Sequence, residues 1–455
     1  MNTINIIARL GDRSARLAQR IIPDPFIIAI GLGVITLAIG LLTRKEGFIP
    51  LCESYAKGMF ATPLLAFAFK MALILITGHA LAAARPVQVA LGRLASIPRT
   101  TSSAAAIVAL VSMLLAYLNW GVGLVGGAFL AREIGRQFDK RGESLNYPLI
   151  GAAGYMGLLV WHGGLSGSAP LAVASDSSFG LALGVKETIF SRLNLIVAVL
   201  LLLVIPLLFW ALGKGPAANN KEKPSPQELQ KRGIVQDELR GAVSRVENSA
   251  WVAAIFLVPI LIALASWVRQ KGTGAINFDL VILSFWVLGM ILHRTPMAYA
   301  RAFGEGVRES TGILLQFPLY FGILAVARDS GLIEITSQGL SGLAVQLDGV
   351  IPVSITAPIF TFFSSGLVNL LVPSGGGQWA LQAPIIADMT TTLDLDRTKM
   401  LMAFCYGDQI TNMLQPFWAL PLLSITGLQA RQIMGYTILA MLVATPVFVL
   451  LLACM

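Results

Sequence analysis

The chain has 455 residues, 56% of them hydrophobic and only 13% charged, and its mean hydropathy is +0.75. Soluble domains carry about a quarter charged residues, so this composition excludes a soluble fold and implies an all-α polytopic membrane protein, its spans roughly 20 residues long. The net charge of +9 fits basic cytoplasmic loops rather than nucleic-acid binding, and Cys52, Cys405 and Cys454 show no metal or disulfide spacing.

Residues 1–24 place Ile6, Leu10, Leu17 and Ile21 on one helix face beside Arg9, Arg13, Arg16 and Arg20. That pattern predicts an amphipathic helix on the cytoplasmic surface rather than a signal peptide. Four crossings are predicted at 25–43, 60–84, 148–171 and 190–212. Between them, 104–134 is oily but interrupted at "NWGVG", Asn119–Gly123. A polar linker, 213–248, and a connecting helix, 249–268, follow. Four more crossings are predicted at 278–293, 308–328, 398–425 and 433–454. The stretch 353–387 is interrupted at "NLLVPSGGGQWALQAP", Asn369–Pro384. Its glycines and prolines cost a helix interior about 1 and about 3 kcal/mol each, which predicts a break across that motif.

Loop charges set the topology. With the N-terminus inside, Arg85, Arg93 and Arg99 fall inside. Arg132, Arg136, Lys140 and Arg141 do so only if 104–134 enters and returns as a hairpin. The same treatment of 353–387 puts Asp388, Asp394 and Asp396 outside and the C-terminus outside; Arg269 and Lys271 are exceptions. The two interrupted arms end in Asn119 and Asn369, 250 positions apart, and the same offset carries His162 onto Asn412. The segments 25–212 and 278–455 therefore read as two copies in opposite orientations, with 249–268 flipping the second. Broken backbone at membrane depth survives where it is buried or lines a cavity, and paired breaks in inverted halves point to a transporter site near the midplane.

The stretches "NWGVGLVGGA" (119–128), "GGLSGSAPL" (163–171), "HRTPMAYARA" (293–302), "VPSGGGQW" (372–379) and "YGDQITNMLQPFWALP" (406–421) resemble the short-chain fatty acid transporter family almost end to end. The chain departs from the usual family pattern at His162, where Gly is normal, and at Asp408, where Glu is normal. The resemblance implies uptake of monocarboxylates such as butyrate or acetoacetate across a bacterial inner membrane. It also implies kinship with the ion-transporter superfamily: a scaffold domain from 25–84 and 249–328, a moving domain of hairpins and broken helices working as an elevator, and a possible homodimer. No cofactor is implied beyond a coupling Na⁺ or H⁺.

Each site residue has a structural alternative. Ser374, Gly375, Gly376, Gly377 and Gln378 form the tip expected to bind substrate, or a merely structural loop. Gly121, Gly163, Ser166 and Ser168, at the breaks of the first half, are expected to bind substrate together with Asn119, Asn412, Gln415 and Trp418, and His162, beside Gly164 in the same break, is expected to take part in cation coupling. Asn119, Asn369 and Asn412 offer amide oxygens for Na⁺, or caps for the hairpin arms. Asp408, on a polar stripe with Gln409, Asn412 and Gln415, would bind Na⁺ or a proton, or pair structurally with Lys70. Phe417 and Trp418 would flank the acyl chain, or belong to ordinary core. His79 reads as a buried, satisfied histidine. Two rival functions remain: a passive monocarboxylate channel, and an intramembrane serine hydrolase using Ser166 of "GLSG" with His79 as base.

Overall fold

The computed structural model describes residues 9, 13–14, 17, 20, 23–43, 47–175, 181, 183–215, 246–271, 278–371, 373 and 375–455. Most of the amphipathic segment 1–24, most of the linker 213–248, and Ser374 of the tip lie outside the described residues.

The described elements are helices. The first half runs α1 (Pro25–Thr43), α2 (Phe48–Met59), α3 (Thr62–Ala83), α4 (Arg85–Ala95), α5 (Thr101–Leu118), α6 (Trp120–Arg141), α7 (Tyr147–Tyr155), α8 (Ser168–Ser175) and α9 (Arg192–Leu212). After α10 (Ala250–Lys271) come α11 (Phe278–His293), α12 (Pro296–Glu309), α13 (Thr311–Asp329), α14 (Leu332–Gln346), α15 (Val353–Leu371), α16 (Gly375–Thr392), α17 (Arg397–Thr411), α18 (Leu420–Thr426) and α19 (Ala430–Cys454). Among the described residues six helices are long and apolar enough to cross a membrane, and a pair bent by 52° over 48–83 would make a seventh span. The chain is an all-helical, multi-span membrane protein.

Two expected crossings are not single helices. The stretch 148–171 becomes α7, a 3₁₀ turn at Met156–Leu159, an irregular stretch and α8; 398–425 becomes α17, a 3₁₀ turn at Asn412–Leu414 and α18. Four connecting helices, α2, α4, α12 and α14, escape a search for apolar runs because charged residues punctuate most of them. α4 (RPVQVALGRLA) and α12 (PMAYARAFGEGVRE) are amphipathic surface elements.

The break at 369–384 is shorter than expected. α15 continues through Asn369 to Leu371, and α16 starts at Gly375 and contains all three glycines and Pro384. The glycines form its first turn, where the low helix propensity of Gly is least damaging and close packing gains most from a missing side chain. α5 and α6 fold back on one another around Asn119. A methyl group at Gly123 would run into Ala116, and one at Gly127 would lie 2.6 Å from the Gly154 carbonyl and 3.0 Å from Ser112 Cβ. Small residues thus let α5, α6 and α7 approach backbone to backbone, as membrane helices do in the absence of a hydrophobic drive between them. α15 and α16 are joined differently, by Gln378 Nε2 donating to the Ser365 carbonyl (2.7 Å) and Gln382 Nε2 to Ser364 Oγ (3.2 Å).

α3 packs on α11 and α12, and α13 on α1 and α2, so the early helices of the two halves hold each other. Among the later helices α9 packs on α5 of its own half and on α19 of the other, while α15 packs on α17 and α19 within the second half. Lys70 Nζ lies 2.7 Å from Asp279 Oδ1 of α11. That corrects the alternative in which Lys70 pairs with Asp408.

Candidate functional site

The two broken spans meet at their breaks. Tyr155, at the end of α7, donates its hydroxyl to the carbonyls of Asn412 (3.0 Å) and Gln415 (3.3 Å). In return Gln409 Oε1 accepts the His162 N–H at 3.1 Å. Backbone groups freed where each helix stops are thus satisfied by side chains of the other. His162 Nδ1 lies 2.5 Å from Asp408 Oδ2, with the two side chains 0% and 1% exposed. The ring's proton can be placed. The Ala169 N–H points at His162 Nε2 (3.2 Å) and can only donate, so Nε2 accepts and the proton sits on Nδ1, facing the carboxylate. Among the described residues Asp408 has no Lys or Arg partner.

The first turn of α16 closes on this pair. A methyl group at Gly375 would lie 2.7 Å from Ser168 Oγ and 2.8 Å from both His162 Cε1 and Trp161 Cη2. Trp161 stacks on the His162 ring, centroids 4.4 Å apart. Beside them is a cavity of about 240 Å³ with Trp120, Leu158, Trp161 and Trp418 on its walls, and Ser168, Asn412 and Gly375–Gly377 around it. Two nitrogens of these lining residues, Trp161 Nε1 and Asn412 Nδ2, are buried without an acceptor. Asn412 Oδ1 already accepts from Asn369 Nδ2 (3.0 Å), which fixes the amide's orientation. The cavity therefore combines apolar walls with the positive end of a helix dipole, and two of the residues that line it each hold a buried, unpaired donor.

The family model that matches the chain is that of the short chain fatty acid transporters, and it covers residues 6–455. The chain belongs to this transporter family. It is 37% identical to an Escherichia coli K12 protein named "Putative short-chain fatty acid transporter", over 98% of this chain and 99% of that one. A Haemophilus influenzae protein of the same name is 30% identical over 98% and 99%. Among solved structures the chain is similar to MtrF of Neisseria gonorrhoeae, at 16% identity over 97% and 96% of the two chains with a TM-score of 0.43. YdaH of Alcanivorax borkumensis follows at 15% identity over 95% and 97%, also with a TM-score of 0.43.

In this member of the family Ser168, Gly375, Gly376, Gly377, Asn412 and Trp418 converge on one cavity. Other expected site residues brace it from outside. Asn119 Oδ1 caps α6, accepting from the N–H groups of Gly121 (3.0 Å) and Val122 (3.2 Å). Gly121 packs against Ile74, and Gly163 is tied to Asn194, whose Nδ2 donates to its carbonyl (2.7 Å). Ser166 Oγ accepts the Trp120 N–H (2.9 Å). Gln378 is wholly buried between α15 and α16. Asn369 Nδ2 donates to the Asp408 carbonyl (2.8 Å), and Gln415 Nε2 to the Asn369 carbonyl (2.5 Å).

Membership of a transporter family excludes the serine hydrolase. The geometry agrees: Ser166 serves the Trp120 backbone, while His79 Nε2 sits 3.6 Å from Glu305 Oε2 and its ring lies against Phe129. Sequence reasoning missed Trp161, Trp120, Leu158 and Tyr155. The signal available was position: Trp161 and Trp120 each adjoin a break-forming residue, His162 and Asn119.

Proposed function

We propose that this transporter is a secondary carrier that takes a short monocarboxylate, such as butyrate or acetoacetate, into the cavity at Gly375–Gly377 and moves it together with a proton. The observation that carries the reading is the pair of buried, acceptorless nitrogens, Trp161 Nε1 and Asn412 Nδ2, on a cavity without a fixed positive charge. A carboxylate supplies the missing acceptors, and a short acyl chain fits the walls formed by Trp120, Trp161, Trp418 and Leu158.

The coupling follows from charge. Substrate and Asp408 each bring one negative charge to a site removed from water, where an isolated ion is expensive. A proton taken up at the His162–Asp408 pair removes one of them and lets the loaded site cross. Asn119 is occupied as a helix cap, so it is a poor Na⁺ ligand in this arrangement. A second reading keeps Na⁺ at Asn369, Asn412 and Gln415, favoured by the unpaired buried oxygens Asn369 Oδ1 and Gln415 Oε1.

The recurring order of helices and the loop charges support an inverted-topology repeat with two re-entrant hairpins, α5–α6 and α15–α16. In this reading the membrane is the bacterial inner membrane, with the N-terminus in the cytoplasm and the C-terminus outside. The early helices form the scaffold, and the hairpins and broken helices move against it as an elevator. Counterflow tests the carrier against the passive channel. Proteoliposomes preloaded with unlabelled butyrate should transiently accumulate labelled butyrate, and a channel would only equilibrate it.

A further inference from the structure

Three cavities lie in series. The tip cavity shares Trp120 and Trp418 with a narrow apolar gap that reaches Phe317, Phe417 and Pro421. Gln316 and Leu420, the chain neighbours of Phe317 and Pro421, line a third cavity of about 520 Å³. The gap between is closed by rings: Phe317 stacks on Phe417 (centroids 4.3 Å) and Trp120 meets Trp418 edge-on (5.0 Å).

The third cavity differs in charge from the other two. Arg308, at the end of α12, and Arg431, at the start of α19, stand exposed on its rim. Arg431 donates its Nε–H to Gln429 Oε1 (2.6 Å). Its terminal nitrogens and the whole Arg308 guanidinium have no protein acceptor among the described residues. Asp24 is the one carboxylate among the lining residues, and its Oδ1 accepts the Phe26 N–H (2.9 Å) at the start of α1. Deeper in, Gln316 is 5% exposed and its side-chain oxygen is unpaired. The two guanidinium groups concentrate and orient a carboxylate, while the unpaired Gln316 oxygen, an acceptor, can take only a donor such as a protonated carboxyl group.

We propose that this arginine vestibule is a second carboxylate site, which holds the monocarboxylate on its way to or from the tip cavity across the Phe317–Phe417 partition. The inference rests on the carrier reading above. The walls of the vestibule come from α12 and α13 on one side and α18 and α19 on the other, so a movement of the later helices against the early ones reshapes it. With the C-terminus outside, the connections leading into 308–328 and between 398–425 and 433–454 fall on the cytoplasmic face, and these carry Arg308 and Arg431. Because the partition is apolar, the anion waits at the arginines until the inner pair takes up a proton.

The test is the initial rate of labelled butyrate transport in inside-out and right-side-out membrane vesicles. Wild type is compared with Arg308→Gln/Arg431→Gln and with Arg308→Lys/Arg431→Lys. The Gln pair should raise KM about ten-fold or more at one face only, the cytoplasmic one, as expected for losing hydrogen bonds to a charged ligand. The Lys pair should recover most of that affinity, and an unchanged KM at the opposite face shows that the variants fold. An unchanged KM at both faces, or an equal rise at both, would overturn the vestibule site while leaving the carrier reading intact. Wild-type vesicles that move no short monocarboxylate would instead overturn the carrier reading, and this site with it.

Discussion

His162 Nδ1 and Asp408 Oδ2 lie 2.5 Å apart at the crossing of two broken helices, each side chain sealed from solvent. One residue comes from the first half of the chain and the other from the second, so the contact ties the two halves at their breaks. Removing one partner of a buried pair typically costs about 3–5 kcal/mol, because the other is left uncompensated. His162→Gly alone should therefore lower the thermal stability of the solubilised protein sharply. Combined with Asp408→Glu, whose longer side chain reaches into the vacated ring space, it should lose much less than the sum of the two single changes. Melting temperatures of the four proteins measure this, and strictly additive losses would argue against direct coupling.

Trp161→Phe keeps an aromatic wall but removes the indole N–H. A hydrogen bond to a charged group is worth about 1.5–3 kcal/mol, so KM for butyrate should rise roughly ten-fold or more while protein yield and melting temperature stay near wild type. Steady-state uptake kinetics read the effect. An unchanged KM would remove Trp161 Nε1 from the carboxylate site.

Gly375→Ala adds a methyl group 2.7–2.8 Å from Ser168 Oγ, His162 Cε1 and Trp161 Cη2. Overpacking of this kind typically costs about 1–3 kcal/mol, and here it pushes on the coupling pair and on the cavity wall together. Transport should fall at least about ten-fold, with a smaller loss at Gly376→Ala, whose methyl group would meet nothing closer than 3.5 Å. Equal activity in the two variants would mean that the tip does not close on His162.

Asn119→Ala removes an acceptor from two backbone N–H groups at the start of α6. The loss should be about 1 kcal/mol of stability, and Asn119→Asp, which keeps the cap, should recover most of it. If Asn119 instead held a cation, the Asp variant would alter the ion dependence of uptake and stability would barely move.

Much of this arrangement was legible in the residues. Apolar runs located the long helices because a bilayer demands them, and the pairing of Asn119 with Asn369 and of His162 with Asn412 located the breaks. Three things were hidden. The connecting helices α2, α4, α12 and α14 lack an apolar run long enough to stand out. The tip glycines proved to be the first turn of α16, since propensity counts the cost of Gly in a helix but not the close approach to Trp161 and His162 that it permits. Asn119 and Asn369 looked equivalent by spacing, yet one caps a helix and the other braces the Asp408 carbonyl; spacing carries no information about which partner an amide will find. Trp161 went unread because an aromatic beside a histidine has no signature until the second half of the chain packs against it.

In the carrier proposed here a buried carboxylate, neutralised by a proton, drives accumulation of a short monocarboxylate. The most direct measurement is labelled butyrate uptake into proteoliposomes under an imposed proton gradient and, separately, an imposed Na⁺ gradient, for wild type and Asp408→Asn. Wild type should accumulate butyrate under the proton gradient alone, and Asp408→Asn should not, while still exchanging butyrate for butyrate. Accumulation driven by Na⁺ without a proton gradient, and undiminished in Asp408→Asn, would contradict proton coupling at Asp408.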